Sequence, residues 1–459
     1  MPNTFDAIVI GMGQSGPSLA ERFVKEGLRV AVIERKYFGG TCVNTGCVPT
    51  KTLIASAYVA HMVRRAAAYG IDVGGPITVD MNRVRARKDA IVAKSRSGVT
   101  GWMEGLANAT VYRGHARFTG AKTVAVNGEL LEAEKIVINT GGRAFVPDMP
   151  GLDRVPYFTN SSIMEADFLP EHLLIVGGSY IALEFAQAYR RFGARVTVVE
   201  MGDRLIARED PDVSAAVREI LEAEGVEVRV NAKCISVEKD GNGVAMRLDC
   251  TEGAPVVRGT HLLLAVGRRP NTDDLGLDLA DVKTDAKGFI IVEEQCRTNV
   301  PGIWDVGDVN GRGAFTHTSY NDFEIVAANL FDNDPRRISD RIPCYALFID
   351  PPLGRVGMTE HEVRAQGIKA LTAKRMMTSV GRARERGETL GFMKVLVDAG
   401  TKKVLGAAIL GLNGDEVVHA FVDVMAAGAP YMAISRAMHI HPTVAEYLPT
   451  MLGDLKPLN

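Results

Sequence analysis

The chain has no apolar run near the ~20 residues that a membrane-spanning helix needs. It has no basic surplus either: 53 lysines and arginines face 55 aspartates and glutamates, for a formal net charge of −2. Nothing is left over to neutralise a phosphate backbone, which argues against nucleic acid as a main partner. The run Arg83-Val-Arg-Ala-Arg-Lys88 reads as one solvated helix face. The amino terminus enters the strand-like Phe5-Asp-Ala-Ile-Val-Ile10 without the charged and apolar regions of a signal peptide, so a cytoplasmic protein without a membrane anchor is expected. Cysteine is scarce, six in 459 residues, too few for a secreted disulfide scaffold. Cys234, Cys250, Cys296 and Cys344 stand singly and read as small buried hydrophobes. Cys42 and Cys47 differ, because they sit close together between glycine-rich segments.

A chain of this length implies about two to four domains. The first motif follows Phe5–Ile10: Gly11-Met-Gly-Gln-Ser-Gly16, then a helical pattern through Leu19, Phe23 and Val24, then the strand Val30-Ala-Val-Ile33 ending at Glu34. Gly11 permits the tight turn, Gly13 lets backbone N–H groups approach a pyrophosphate, and Gly16 allows helix and strand to touch. The helix dipole favours the anion, and Glu34 is placed to accept hydrogen bonds from a ribose. Three glycines alone would be a glycine-rich turn; strand, helix, second strand and terminal acid together make a dinucleotide site.

A second copy begins at His172-Leu-Leu-Ile-Val176 and turns through Gly177-Gly-Ser-Tyr-Ile-Ala182, with Ser179 and Ala182 in the second and third glycine places. Ala182–Ala188 reads as the following helix, and Ala194–Val199 as a strand closing on Glu200. Two such units imply two dinucleotides. An acid at position 200 favours NAD(H) over NADP(H), since a 2′-phosphate would meet a like charge, although Arg204 lies nearby.

Near the first motif lies Gly39-Gly-Thr-Cys-Val-Asn-Thr-Gly-Cys-Val-Pro-Thr-Lys51. Four residues separate the cysteines, a gap that one helical turn closes to disulfide distance. No second cysteine pair or histidine follows at metal-ligand spacing, so no metal site is expected. Lys51 would favour the reactive thiolate.

This segment resembles the redox segment of the class I pyridine nucleotide–disulfide oxidoreductases, which include dihydrolipoamide dehydrogenase, glutathione reductase and mercuric reductase. The resemblance covers essentially the whole chain. It continues in order through Ile136-Val-Ile-Asn-Thr-Gly-Gly-Arg143, Leu262-Leu-Leu-Ala-Val-Gly-Arg-Arg-Pro270, Gly302-Ile-Trp-Asp-Val-Gly-Asp308 and His441-Pro-Thr-Val-Ala-Glu446. The run Pro351-Pro-Leu-Gly-Arg-Val-Gly-Met-Thr359 is similar to the mercuric-reductase-like and reactive-chlorine-resistance branch. The resemblance implies an α/β fold with two Rossmann-like domains, for FAD and NAD, and a carboxy-terminal α+β dimerisation domain with an antiparallel sheet. The expected divisions are about 1–147 and 271–341 for FAD, 148–270 for NAD(P) and 342–459 for dimerisation. Strands are expected there at Ala346–Ile349, Gly391–Val397 and Val404–Leu410, with helix over Glu416–Ala427.

Carried over by position, Cys42 would be the interchange thiol and Cys47 the thiol facing the flavin. Lys51 would lie near the flavin paired with Glu184, and Tyr180 would cover the nicotinamide pocket. FAD contacts would come from Gly11, Gly13, Ser15, Gly16, Glu34, Arg35, Gly40, Thr41, Lys51, Thr140, Gly141 and Asp308. NAD contacts would come from Gly177, Ser179, Tyr180, Ile181, Glu200 and Gly267. Asn139 stands where the family has a small apolar residue, and the sequence suggests no role for it.

His441 and Glu446 match an acid/base dyad that serves the cysteines of the other subunit, which implies a homodimer with shared active sites. The pair also makes chemical sense unaided, since a near-neutral histidine takes a thiol proton and a carboxylate fixes its tautomer. His439 lacks the following Pro-Thr. The activity implied is electron transfer between nicotinamide, FAD and a Cys42–Cys47 disulfide, on to a disulfide, dithiol or other thiol-reactive acceptor. The chain ends Gly453–Asn459 without the cysteine pair of mercuric reductase and lacks recognisable glutathione-binding arginines. Rival readings are dihydrolipoamide dehydrogenase, a quinone or metal-ion reductase working directly from flavin, and a non-catalytic FAD/NAD-binding sensor. Intact Cys42, Cys47, Lys51 and His441 speak against the last.

Overall fold

The apolar run at the amino terminus is continuous because its strand has neighbours on both sides and both faces are covered, one by helices and the other by antiparallel strands and loops. In the computed structural model, strand β1 (Asn3–Ile10) pairs in parallel with β2 (Val30–Glu34) and with Glu129–Ile138. Helix α1 (Gly16–Lys25) makes the crossover, and Leu19, Ala20 and Phe23 are wholly buried beneath it. The structure describes residues 2–249 and 254–458, so Cys250 and the side chain of Cys234 lie outside it.

Glu129–Ile138 also pairs in parallel with Ile303–Asp305, so the chain leaves this first sheet and returns to it after the second dinucleotide unit. That unit is a parallel sheet in the order Glu227–Arg229, Arg195–Val199, His172–Val176, His261–Leu264, Phe158–Thr159. An antiparallel meander, Lys233–Asp240, Gly243–Asp249 and Val256–Gly259, adjoins it.

The carboxy-terminal part is a six-stranded antiparallel sheet in the order Cys344–Leu347, Leu353–Gly357, Val404–Leu410, Phe392–Asp398, Ala370–Met376, Lys456–Pro457. Its first strand starts and ends two residues earlier than the expected Ala346–Ile349. The amides of Phe348 and Asp350 leave the ladder and donate to Glu184 Oε1 (3.1 Å) and Gln187 Oε1 (2.7 Å) on a neighbouring helix. The helix expected over Glu416–Ala427 is split into Gly414–Val417 and His419–Ala426.

Two helices carry the cysteines: the short α2 (Gly40–Asn44) and the long α3 (Cys47–Arg64). Leu53 and Ala57 of α3 enter one core with Leu183 and Ala186 of helix Tyr180–Phe192 and with Leu347, Phe392 and Leu410 of the antiparallel sheet. Each buried leucine there contributes about 2 kcal/mol, so α3 is clamped among all three units. Among the described residues, no helix is long and apolar enough to cross a membrane.

Candidate active site

The first glycine turn is built against Asn139. A Cβ on Gly11 (φ +97°) would lie 2.3 Å from Asn139 O, and one on Gly16 would lie 2.3 Å from Gly11 O. Gly13 leaves its face open apart from the Asn139 amide, 3.3 Å from where a Cβ would be. Asn139 Nδ2 donates to Gly11 O at 3.0 Å, so this buried side chain staples the turn to the adjacent strand end. The sequence marks Asn139 as unusual; its role needs the turn in place. Glu34 closes the same turn, accepting from Met12 N (2.9 Å) and Lys36 N (2.8 Å). Ser15 is fully buried and donates to Ser319 O at 2.5 Å, so its hydroxyl faces the protein interior, and neither it nor Gly16 lines the cavity described next.

From this turn a cavity of about 1500 Å³ runs to the cysteines. Gly11, Gly13, Glu34, Arg35, Gly40, Thr41, Thr140, Gly141 and Asp308 line it, together with Cys42, Cys47, Lys51, Tyr180, Ile181 and Glu184. Drug-sized ligands fill about 300–1,000 Å³, so this volume suits an extended dinucleotide. The donors fit FAD as well. Burial pushes the Asp308 carboxyl up, and its Oδ2 lies 3.7 Å from Arg268 Nε, a buried nitrogen with no hydrogen-bond partner among the described residues. Arg35 pairs with Asp274 at 3.2 Å. Arg268 is a residue that sequence reasoning passed over, since its motif marks a turn and gives no sign of the cavity.

The second turn lies off this cavity, with Gly177, Ser179, Glu200 and Gly267 all outside its lining. Gly177 (φ +114°) packs a would-be Cβ 2.4 Å from Ala265 O, and Gly267 (φ +131°) is open. Glu200 accepts from Gly178 N (2.5 Å) through one oxygen and Gly202 N (2.7 Å) through the other. Arg204 is engaged locally, donating to Ala207 O at 3.2 Å and meeting Asp203 at 3.4 Å.

The cysteines do not share a helical turn. Gly46 leaves helical geometry (φ −128°, ψ −117°), and a Cβ there would lie 2.9 Å from Thr41 O, so the backbone breaks between α2 and α3 and folds Cys42 over Cys47. Asn44 Nδ2 ties the segment down through Phe38 O (2.9 Å) and Gly40 O (2.8 Å). Both sulfurs are free thiols. The hydrogen bond from Cys42 pulls the Cys47 thiol down to about 6 against the desolvation of the surrounding protein, with help from the Thr316 hydroxyl and the Lys51 charge. The same bond, with burial, drives Cys42 up. The pair is therefore polarised: one sulfur is an anion at neutral pH and the other holds its proton. Of the single cysteines, Cys296 is buried, whereas Cys344 is half-buried and lines the cavity, because its strand edge faces that space.

Lys51, one turn along α3, meets Glu184 at 2.7 Å and lies 4.4 Å from the centre of the Phe348 ring. Tyr180 packs edge-on against Tyr345 (5.5 Å) and Phe315 (6.4 Å). Tyr345 donates to buried Glu209 at 2.7 Å, which also holds Arg355.

His441 stands apart. Its Nδ1 lies 2.8 Å from Glu446 Oε2, but its side chain is 80% exposed and does not line the cavity of its own chain. Met438 and Ile440 beside it are 100% and 79% exposed.

The model for pyridine nucleotide-disulphide oxidoreductases matches residues 5–322, and that for the family's dimerisation domain matches residues 344–452. The chain is 33% identical to the probable pyridine nucleotide-disulfide oxidoreductase RclA of Escherichia coli, covering 99% of this chain and 100% of that one. It is 34% identical to a mercuric reductase of Streptomyces lividans (97% and 94% covered) and 32% identical to a dihydrolipoyl dehydrogenase of Thermus scotoductus (97% and 96%). The solved structure of the Cu(II) complex of the HOCl-induced flavoprotein disulfide reductase RclA from E. coli superposes with a TM-score of 0.89, at 32% identity over 98% of this chain and 99% of the other.

Proposed function

The chain belongs to the pyridine nucleotide-disulphide oxidoreductases and is an FAD-dependent oxidoreductase of the disulfide reductase type; from that premise we propose the path of its electrons and the residues that carry them. The observation that bears most weight is the polarised thiol pair, Cys42 and Cys47, in one cavity with the Lys51–Glu184 ion pair.

FAD, bound along the cavity, supplies two-electron exchange between a nicotinamide and the cysteine disulfide. The glycine turn Gly11–Gly16 with Asn139 and Glu34 would hold its phosphate and ribose end, and Asp308 with Arg268 would hold the chain beyond. Glu200 and the Gly177–Ala182 turn would receive NADH, with Tyr180 and Ile181 lining the adjoining cavity. Lys51 keeps a positive charge near the cysteines, anchored by Glu184. On reduction the Cys42–Cys47 bond breaks and takes up two electrons; Cys47 keeps the negative charge and Cys42 becomes the free thiol. Cys42 then attacks an acceptor disulfide and releases its first thiol, and Cys47 attacks the mixed disulfide, reforming the Cys42–Cys47 bond and releasing the second thiol, each thiol taking one proton. The net change is NADH, one proton and a disulfide going to NAD⁺ and two thiols.

His441 is the proton donor and acceptor for Cys42, and it acts in trans. Its exposure and its distance from its own cavity support delivery to a second copy, and the dimerisation domain fits a homodimer. The 2.8 Å His441–Glu446 contact favours an acceptor that needs protons, a disulfide or the reverse dithiol reaction of dihydrolipoyl dehydrogenase. A thiol-binding metal ion is the second acceptor class, supported by the Cu(II) complex of the similar reductase. A cytoplasmic location is part of this proposal, since a soluble NADH pool would supply the electrons. The test is a steady-state screen of the purified flavoprotein with NADH and NADPH against lipoamide, glutathione disulfide, quinones and Cu(II). Turnover with a disulfide or Cu(II) that disappears in Cys42→Ser supports the reading; equal turnover in that variant contradicts it.

A further inference from the structure

Cys47 has an oxygen neighbour that arrives from far along the chain. Thr316 Oγ1 lies 3.3 Å from Cys47 Sγ across 269 residues of sequence. Thr316 is the first residue of helix Thr316–Ala327, so the positive end of that helix dipole adjoins the sulfur. Protein contacts alone fix its place. Phe315 N donates to Thr318 Oγ1 at 3.1 Å, and Ser15 binds Ser319 of the same helix at 2.5 Å.

A thiol and a hydroxyl can each donate to the other, but a thiolate only accepts. Once Cys47 is ionised, the Thr316 hydroxyl must donate to it. Three other groups act on this sulfur. Cys42 donates to it, Lys51 attracts its charge, and Glu184 opposes that charge. The Lys51 charge is already engaged by Glu184 at 2.7 Å. Cys42 donates only while it keeps its own proton, which it must lose to act as a nucleophile. Thr316 keeps its proton at every stage.

We infer that Thr316 is a positioning residue for the Cys47 thiolate, donating a hydrogen bond to Sγ whenever that sulfur is ionised. This rests on the proposed division of labour between Cys42 and Cys47. No electron or proton passes through the hydroxyl; the Cys47 thiolate and the Cys42 thiol together release two electrons and one proton when their disulfide forms.

The test uses FAD-loaded enzyme in a Cys42→Ser background, where Cys47 titrates without its partner thiol. Alkylation of Cys47 by iodoacetamide is followed against pH and read on the Cys47 peptide by mass spectrometry, so other cysteines do not contribute. Thr316→Val keeps the shape and removes the donor, and the midpoint should rise by about one pH unit. Thr316→Ser should restore it to within about 0.3 unit. If Thr316→Val does not fold, Thr316→Ala makes the same comparison. An unmoved midpoint in the variant lacking the hydroxyl overturns the inference, as does a serine that fails to restore it. The premise fails separately: a long-wavelength thiolate band that survives Cys47→Ser would discredit the division of labour, while a band confined to Cys47 with an unmoved midpoint discredits Thr316 alone.

Discussion

Lys51 Nζ and Glu184 Oε2 meet at 2.7 Å between two helices whose residues lie 133 apart in sequence. The other Glu184 oxygen accepts the amide of Phe348 at 3.1 Å, so one buried carboxylate joins the cysteine helix, the second dinucleotide unit and the antiparallel sheet. Changing Glu184 to Gln keeps the shape and removes the anion that orients Lys51. Anaerobic stopped-flow reduction of the flavin by NADH should slow by about tenfold, the worth of one charge-assisted hydrogen bond. An unchanged rate would reduce the pair to a structural tie.

Gly16 tests the first turn. A Cβ there would sit 2.3 Å from Gly11 O and 2.9 Å from Asn139 Nδ2, both held by the fold. Gly16→Ala should therefore release FAD at a lower temperature than wild type, read as the rise of flavin fluorescence on heating. Gly74→Ala, where a Cβ meets nothing within 4 Å, should leave that release unchanged.

Glu200 gives a test of the nicotinamide choice. Both its oxygens are pinned by backbone N–H groups of Gly178 and Gly202, at 2.5 and 2.7 Å, so the carboxylate stays at the strand end where a 2′-phosphate would be placed. The ratio of kcat/KM values should favour NADH, and Glu200→Arg should relax or invert it. A wild-type preference for NADPH would mean that Arg204 abandons Ala207 O for the phosphate.

These two turns are the part of the fold most open to sequence reading, because strand, glycines, helix and acid follow one another locally. The cysteine pair is open in identity but not in geometry. Its spacing suits a single helical turn, and only the closeness of Gly46 to Thr41 O makes the backbone break there. Asn139 can be noticed in the sequence, yet its purpose depends on Gly11, 128 residues away. Thr316 and Arg268 reach the cavity only after distant segments pack, and no local pattern reports that. The strand at Cys344–Leu347 stops early because Glu184 and Gln187 take the next amides, a competition decided wholly in three dimensions.

His441 should serve the other chain. His441→Ala should lower disulfide turnover by about 10²–10⁴-fold, as for loss of a general acid/base, while flavin reduction by NADH persists. Mixing inactive Cys42→Ser with inactive His441→Ala subunits places both defects in one site of a mixed dimer and neither in the other. Random exchange should then restore up to roughly a quarter of wild-type activity. Exchange without recovery would place His441 within its own site.

The most direct test of the account is the long-wavelength absorbance of the enzyme after anaerobic two-electron reduction, followed from pH 5 to 9 in wild type and Cys47→Ser. The Cys47 thiol, drawn down to about 6 chiefly by the Cys42 hydrogen bond, is protonated below that pH and anionic above it. The band should therefore grow as pH rises through about 6 and stay through neutrality, since Cys42 is held protonated. Cys47→Ser should show no band at any pH. A band of equal strength in that variant, or none in the wild type, would contradict the path from nicotinamide through flavin to the cysteine pair.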